Sequence, residues 1–186
     1  MTQEQLNAAL LAIAAGEQEP LSALYKDCRQ SVFLLAASIT GQAQMAEDVT
    51  QEVFLVIRTC APRYRADTNP RAFLYGVTRN VAKNMLRKAH YEIPDAVADS
   101  RAEEPPAFEK SCLDGIVASQ ALEWLSSPEY QIAVLHIFGE LKLTEVAKYL
   151  QIPYGTVLWR YSEARKKLRR FYEGRTPAGK ETGTHE

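Results

Sequence analysis

Arg79, Lys83 and Arg87 recur every fourth residue in "RAFLYGVTRNVAKNMLRK", and Asn80 and Asn84 stand one place after the first two. On a helix this spacing makes a stripe of cations beside a stripe of amides, with Phe73 two turns upstream on nearly the same side. The chemistry open to such a set is non-covalent: cations hold phosphates, amides read base edges, and a ring stacks on an unpaired base. Leu74, Val77, Val81 and Met85 are expected to point the other way, into a core. The preceding segment, "TCAPRYRADTNP", has no period and is expected to be a loop in which Arg63, Tyr64, Arg65 and Asp67 could wrap a base pulled from the stack.

Covalent and acid–base chemistry have no comparable constellation. His90, His136 and His185 are scattered, and neither an H-x-x-x-H pair, a nucleophile motif nor a Gly-rich phosphate loop occurs. The chain is therefore not expected to be an enzyme, to carry a cofactor or to take a small-molecule substrate. Cys28, Cys60 and Cys112 are odd in number and far apart, which excludes a C-x-x-C metal or redox motif and leaves reduced thiols. No apolar run reaches the roughly 18 residues of a membrane span, so no membrane insertion is expected. The start, "MTQEQLNAAL", lacks the basic region of a secretory signal, which points to the cytoplasm.

A second cationic surface lies near the end, in "LTEVAKYLQIPYGTVLWRYSEARKKLRR". Leu143, Val146, Ala147 and Leu150 occupy one helical face. "QIPYG" makes a sharp turn, and Val157, Tyr161, Ala164 and Leu168 stripe the next helix. Small Ala147 and Ala164 permit close approach at a steep angle, as in a helix-turn-helix. The outward face then carries Thr156, Leu158, Trp159 and Arg160 toward base edges, and Arg165 and Lys166 toward phosphates. A third surface is acidic: in "AQMAEDVTQEVFLVIR", Gln51 and Phe54 face outward beside Asp48 and Glu52, a candidate protein-docking patch anchored by Phe54.

Helices must position these groups. Thr2 and Gln5 form a capping box, with Leu6, Leu10 and Ile13 on one face before Gly16. A second helix opens at Pro20 and stops near Gly41. A third spans about 43–58, and a fourth starts at Asn69–Pro70 and reaches about Ala89. Further helices are expected near 115–125, 128–138, 143–150 and 154–172. Between the groups, "IPDAVADSRAEEPPAFEK" has the composition of a flexible acidic linker. The expected class is all-α: two small helical domains over 1–91 and 114–175, joined by a linker at 92–113 and followed by a disordered tail at 176–186. The formal charge is −1 overall but segregated: about −5 to Ile57, about +7 over 58–90, about −5 over 91–114 and about +6 over 141–175. Two basic zones parted by an acidic strip suit a polyanion touched at two places.

These motifs, in this order, resemble the extracytoplasmic function (ECF) group of bacterial RNA polymerase sigma factors, of the sigma-70 family. "AEDVTQEVFLVIR" is similar to the group's region 2.2, A-E-D-x-x-Q-E-x-F. "RAFLYGVTRNVAKNMLRK" is similar to regions 2.3–2.4, A-W-L-x-x-I-A-R-N, and the terminal helix pair resembles region 4.2. The resemblance implies that Asp48, Gln51, Glu52 and Phe54 bind the β′ clamp helices of core polymerase, and that the second domain sits on the β flap. It implies that Arg65, Asp67, Phe73, Arg79, Asn80 and Lys83 melt and read a promoter −10 element, with Asn84 and Arg87 continuing that face. Thr156, Leu158, Trp159, Arg160, Arg165 and Lys166 would meet the −35 element, and an anti-sigma factor would be a partner. Phe73 replaces the group's usual Trp, Leu158 and Glu163 stand where bases are common, and Trp159 could contact thymine methyls or pack on a partner. The alternative is a conventional helix-turn-helix regulator whose first domain senses a signal or dimerises.

Overall fold

The computed structural model describes residues 1–91 and 124–174. Helix α1, Gln3–Ala14, begins with the expected capping box: the Thr2 hydroxyl accepts from the Gln5 N–H at 3.2 Å and the Gln5 side chain accepts from the Thr2 N–H at 2.9 Å. Helix α2, Glu19–Thr40, has Pro20 in its first turn and ends at Gly41, whose φ of 70° ends the helix in the left-handed region. Helix α3, Ala43–Cys60, runs on into a 3-10 turn at Ala61–Arg63. Asn69 caps α4, Pro70–Tyr91, accepting from the N–H groups of Arg71 and Ala72 at 2.9 and 3.3 Å. These four helices enclose Leu6, Leu10, Leu24, Cys28, Val53 and Leu74, all fully buried.

The second group opens with α5, Ser127–Ala133, which continues as a π-helical turn over Val134–Phe138. Then come α6, Leu143–Leu150, and α7, Tyr154–Tyr172, meeting as expected through buried Val146, Ala147, Val157 and Ala164. The described residues contain no strand. The acidic linker, the 176–186 tail and most of the helix expected near 115–125 lie outside the described residues.

An ion pair between a buried carboxylate and a half-exposed lysine ties α5 to α7. Glu129, 7% exposed, accepts from the Lys167 ammonium at 2.6 Å and from the Ser126 N–H at 2.8 Å. Burial works against its charge, but the Lys167 and Ser126 hydrogen bonds prevail and hold the carboxyl below its ordinary value near 4.5. The folded state therefore binds this proton less readily than the unfolded chain. Its contribution is present above pH 4.5 and is lost as the pH falls through the lowered value. Glu129→Gln is expected to cost about 2 kcal/mol at neutral pH, and to flatten the acid limb of a melting-temperature profile below that point.

Periodicity does not foretell that the two helical groups touch, and they do. Their buried apolar residues form one continuous cluster. Tyr75 of α4, 1% exposed, is central to it: its hydroxyl donates to Ser31 Oγ at 3.1 Å, and its backbone carbonyl accepts from the Tyr149 hydroxyl at 2.9 Å. Asn69 donates to Glu145 at 2.8 Å, Arg71 to Glu140 at 3.1 Å, and Gln131 to the Ser38 carbonyl at 3.1 Å.

Candidate nucleic-acid and protein interfaces

The expected cation and amide stripes on α4 exist, but tertiary packing sends them to different neighbours. Asn80, Lys83, Asn84 and Arg87 are exposed, with Arg87 Nη2 3.4 Å from Asn84 Oδ1. Asn80, Asn84 and Lys88 border an open groove of about 630 Å³ between α3 and α4. Its apolar floor includes Val56, Val77 and Met85, and Arg63 stands at its rim. Arg79 faces the opposite neighbour: Nη1 donates to the Tyr149 carbonyl at 2.8 Å, and the guanidinium lies 5.5 Å from the Tyr149 ring centroid. The uniform cation stripe is thus corrected. Lys83 and Arg87 remain exposed, whereas Arg79 is half-buried against α6.

Upstream, Arg65 and Asp67 are exposed, as a base-wrapping loop requires. Tyr64 is instead a strut, 7% exposed, with its hydroxyl 2.7 Å from Asn7 Oδ1. Burial, and then the nearby Asp67 charge, push the Tyr64 phenol above its usual range. Its ring lies 5.1 Å from that of Phe73, which is half-buried and shows part of its surface. Phe73 is therefore a braced aromatic edge rather than a free ring. Arg71, absent from the expected site, is 6% exposed and donates to the Met1 carbonyl as well as to Glu140. Its partners lie about 70 residues away in the chain, so the sequence carried no signal for it.

On α3 the structure overturns one expectation. Phe54 does not face outward: it is 6% exposed, and its ring meets that of Tyr25 edge-on at 4.9 Å. The apolar side chain standing in solvent is its neighbour Leu55, 69% exposed, one turn from exposed Gln51 and half-exposed Glu52 and two turns from exposed Asp48. Leu55 could have been found from its i+3 and i+4 relation to Glu52 and Gln51, since residue 54 sits about 100° away around the helix.

On α7, Leu158 and Trp159 stand out, 48% and 64% exposed, on the first two turns. Thr156 and Arg160 are half-exposed and Arg165 is exposed. Lys166 is also exposed, but its ammonium meets Glu163 at 2.6 Å, a surface pair that solvent screens and an anion can displace. Cys28 is buried beside Asp27, and burial foremost pushes its thiol up to about 12, far from the thiolate needed for reactivity. No group of three metal-ligating side chains converges among the described residues.

The arrangement offers two exposed cationic helix faces and one acidic face with an apolar anchor. Residues 24–91 match the family model for sigma-70 region 2. The RNA polymerase sigma-H factor of Pseudomonas aeruginosa is 27% identical, with 90% of this chain and 94% of that protein covered. The ECF RNA polymerase sigma factor SigW of Bacillus subtilis is 24% identical over 85% and 91%. Among solved structures, the sigma factor RpoE in complex with the anti-sigma factor NepR, from Bartonella quintana, superposes with a TM-score of 0.58. It is 20% identical and covers 84% of this chain and 98% of RpoE.

Proposed function

We propose that the chain is a sigma factor of the extracytoplasmic function group of the sigma-70 family, which joins core RNA polymerase and directs it to promoters with −10 and −35 elements. The observation that carries the reading is the α4 face on which Asn80, Lys83, Asn84 and Arg87 stand exposed inside the segment that matches region 2. Residues 1–91 form the unit for core binding and the −10 element, and 114–175 the unit for the −35 element, with 92–113 as the connecting linker and 176–186 as a tail. Arg65, Asp67 and Phe73 extend the −10 face, and Arg79 belongs to it once α6 is moved aside. Amides beside cations read and hold an opened strand, and the braced Phe73 edge stacks where the first base leaves the duplex.

Thr156, Leu158, Trp159 and Arg160 meet base edges in the major groove, while Arg165 and Lys166 take phosphates. With two apolar side chains among the base-facing positions, thymine methyls are the natural targets. Asp48, Gln51, Glu52 and Leu55 dock the β′ clamp helices, with Phe54 as the buried support beneath, and the second unit docks the β flap. The chain is not an enzyme, and it works in the cytoplasm. An anti-sigma protein is a partner of the chain, a reading supported by its likeness to the sigma factor RpoE, whose solved structure is a complex with the anti-sigma factor NepR.

The test is transcription by bare core polymerase on a promoter library, with the 5′ ends of the products mapped. A sigma factor yields discrete starts that depend on the added chain. A conventional regulator yields none, because it cannot initiate without a sigma factor. Within that assay, Asn80→Ala is expected to slow open-complex formation tenfold, about 1.4 kcal/mol, while core affinity stays within twofold. Equal loss of both would remove Asn80 from strand reading.

A further inference from the structure

We infer that Glu163 of α7 is a specificity-determining residue, which selects a cytosine in the DNA that α7 reads. The inference rests on the proposed reading of α7 as the helix that enters the major groove at the −35 element. It adds a residue that the set Thr156, Leu158, Trp159 and Arg160 leaves out. Glu163 follows Trp159 by four residues and precedes Lys166 by three, so the three side chains share one outward face. On that face Trp159 is 64% exposed, Lys166 is exposed and Glu163 is half-exposed, while the buried Val157 and Ala164 lie on the other. A duplex that meets Trp159 therefore meets the Glu163 carboxylate as well.

A carboxylate turned toward DNA is repelled by the phosphates that flank the groove. In the free chain its partner is the Lys166 ammonium, 2.6 Å from Oε1, and among the described residues Oε2 has no hydrogen bond. That surface pair is worth little to the fold. Once a phosphate takes Lys166, the carboxylate loses its cation and must find a donor among the base edges. Guanine and thymine present only acceptors to the major groove. Adenine places its N7 acceptor beside the N6 amino group, which opposes a carboxylate. Cytosine alone presents an amino donor with no acceptor on its own edge. Glu163 thus selects by repelling three bases as much as by binding the fourth.

Full-length wild type, Glu163→Gln, Glu163→Ala and Lys166→Gln are each combined with core polymerase to test this. They are run on the promoter that wild type uses best, with its −35 element randomised, and initiation is counted for every sequence. Wild type is expected to require cytosine at one position, with about a tenfold loss for any other base there. Glu163→Ala is expected to flatten that position to within about twofold, while the other positions keep their preferences. Glu163→Gln is expected to turn it toward adenine, whose N6 and N7 an amide meets with two hydrogen bonds. Lys166→Gln should keep the cytosine and weaken all sequences alike, as loss of a phosphate contact does. A wild-type profile with no cytosine position, or one that coincides with that of Glu163→Ala, overturns the inference. Loss of the cytosine preference in Lys166→Gln overturns it too, because the carboxylate then acts only through the ion pair. Failure of wild type to initiate on any promoter strikes the proposed function and this inference with it, whereas initiation with an unchanged profile strikes this inference alone.

Discussion

Gly139→Ala is expected to destabilise the protein by about 2–3 kcal/mol, a drop of roughly 5–10 °C in melting temperature for a chain of this size. The cause is space, not backbone freedom. A Cβ at this position would lie 2.4 Å from the Leu135 carbonyl oxygen and 2.9 Å from Cε2 of Tyr75. Neither neighbour can retreat cheaply. The carbonyl belongs to the π-helical turn, which the Gly139 N–H closes by donating to the Val134 carbonyl at 2.8 Å. The Tyr75 ring is fixed by Ser31 through its hydroxyl and is 1% exposed. The clash therefore falls on the junction between the two helical groups, and the variant should also loosen them. Gly76→Ala is the control: a Cβ there meets nothing within 4 Å, and the site is interior to α4. It should stabilise by about 0.5–1 kcal/mol. Calorimetry of both variants checks the pair, and a wild-type melting temperature for Gly139→Ala would refute the close approach.

Leu55→Glu is expected to weaken holoenzyme assembly thirtyfold or more, about 2 kcal/mol, with little change in thermal stability. A side chain 69% exposed contributes little to the fold, so its removal reports on docking alone. Phe54→Ala should do the reverse. It empties a buried position beside Tyr25 and should cost about 3–4 kcal/mol in stability, with assembly impaired only as far as the fold is. Titration of labelled core polymerase, paired with thermal melts, separates the two. If Leu55→Glu assembles like wild type, this exposed leucine is not the anchor and the acidic face must dock through its polar groups.

The contrast between Phe54 and Leu55 shows where local reasoning stops. Helix starts and stops were legible in the chain because each is set by neighbours in sequence. Thr2 with Gln5, Asn69 before Pro70, and Gly41 in the left-handed region satisfy or end a backbone within a few residues. The stripes that join α6 to α7 were legible for the same reason, since one face of a helix repeats at a fixed spacing. Phe54 and Leu55 are adjacent and both apolar. Spacing within α3 sets Phe54 on the inner face, four and three residues from buried Thr50 and Ile57, but it does not record the ring it meets there, Tyr25, which α2 brings across.

By itself, then, the sequence determined the helices, their inner faces and the segregation of charge into two basic zones, because these follow from short-range caps and periodicity. Only tertiary structure decided that Arg79 is spent on Tyr149, that Arg71 is buried against Glu140, and that Gly139 must lack a side chain. Each of these depends on a partner tens of residues away, often a backbone carbonyl that any amino acid can supply. A carbonyl leaves no signature in composition or spacing. It becomes visible only when the fold sets it beside a donor.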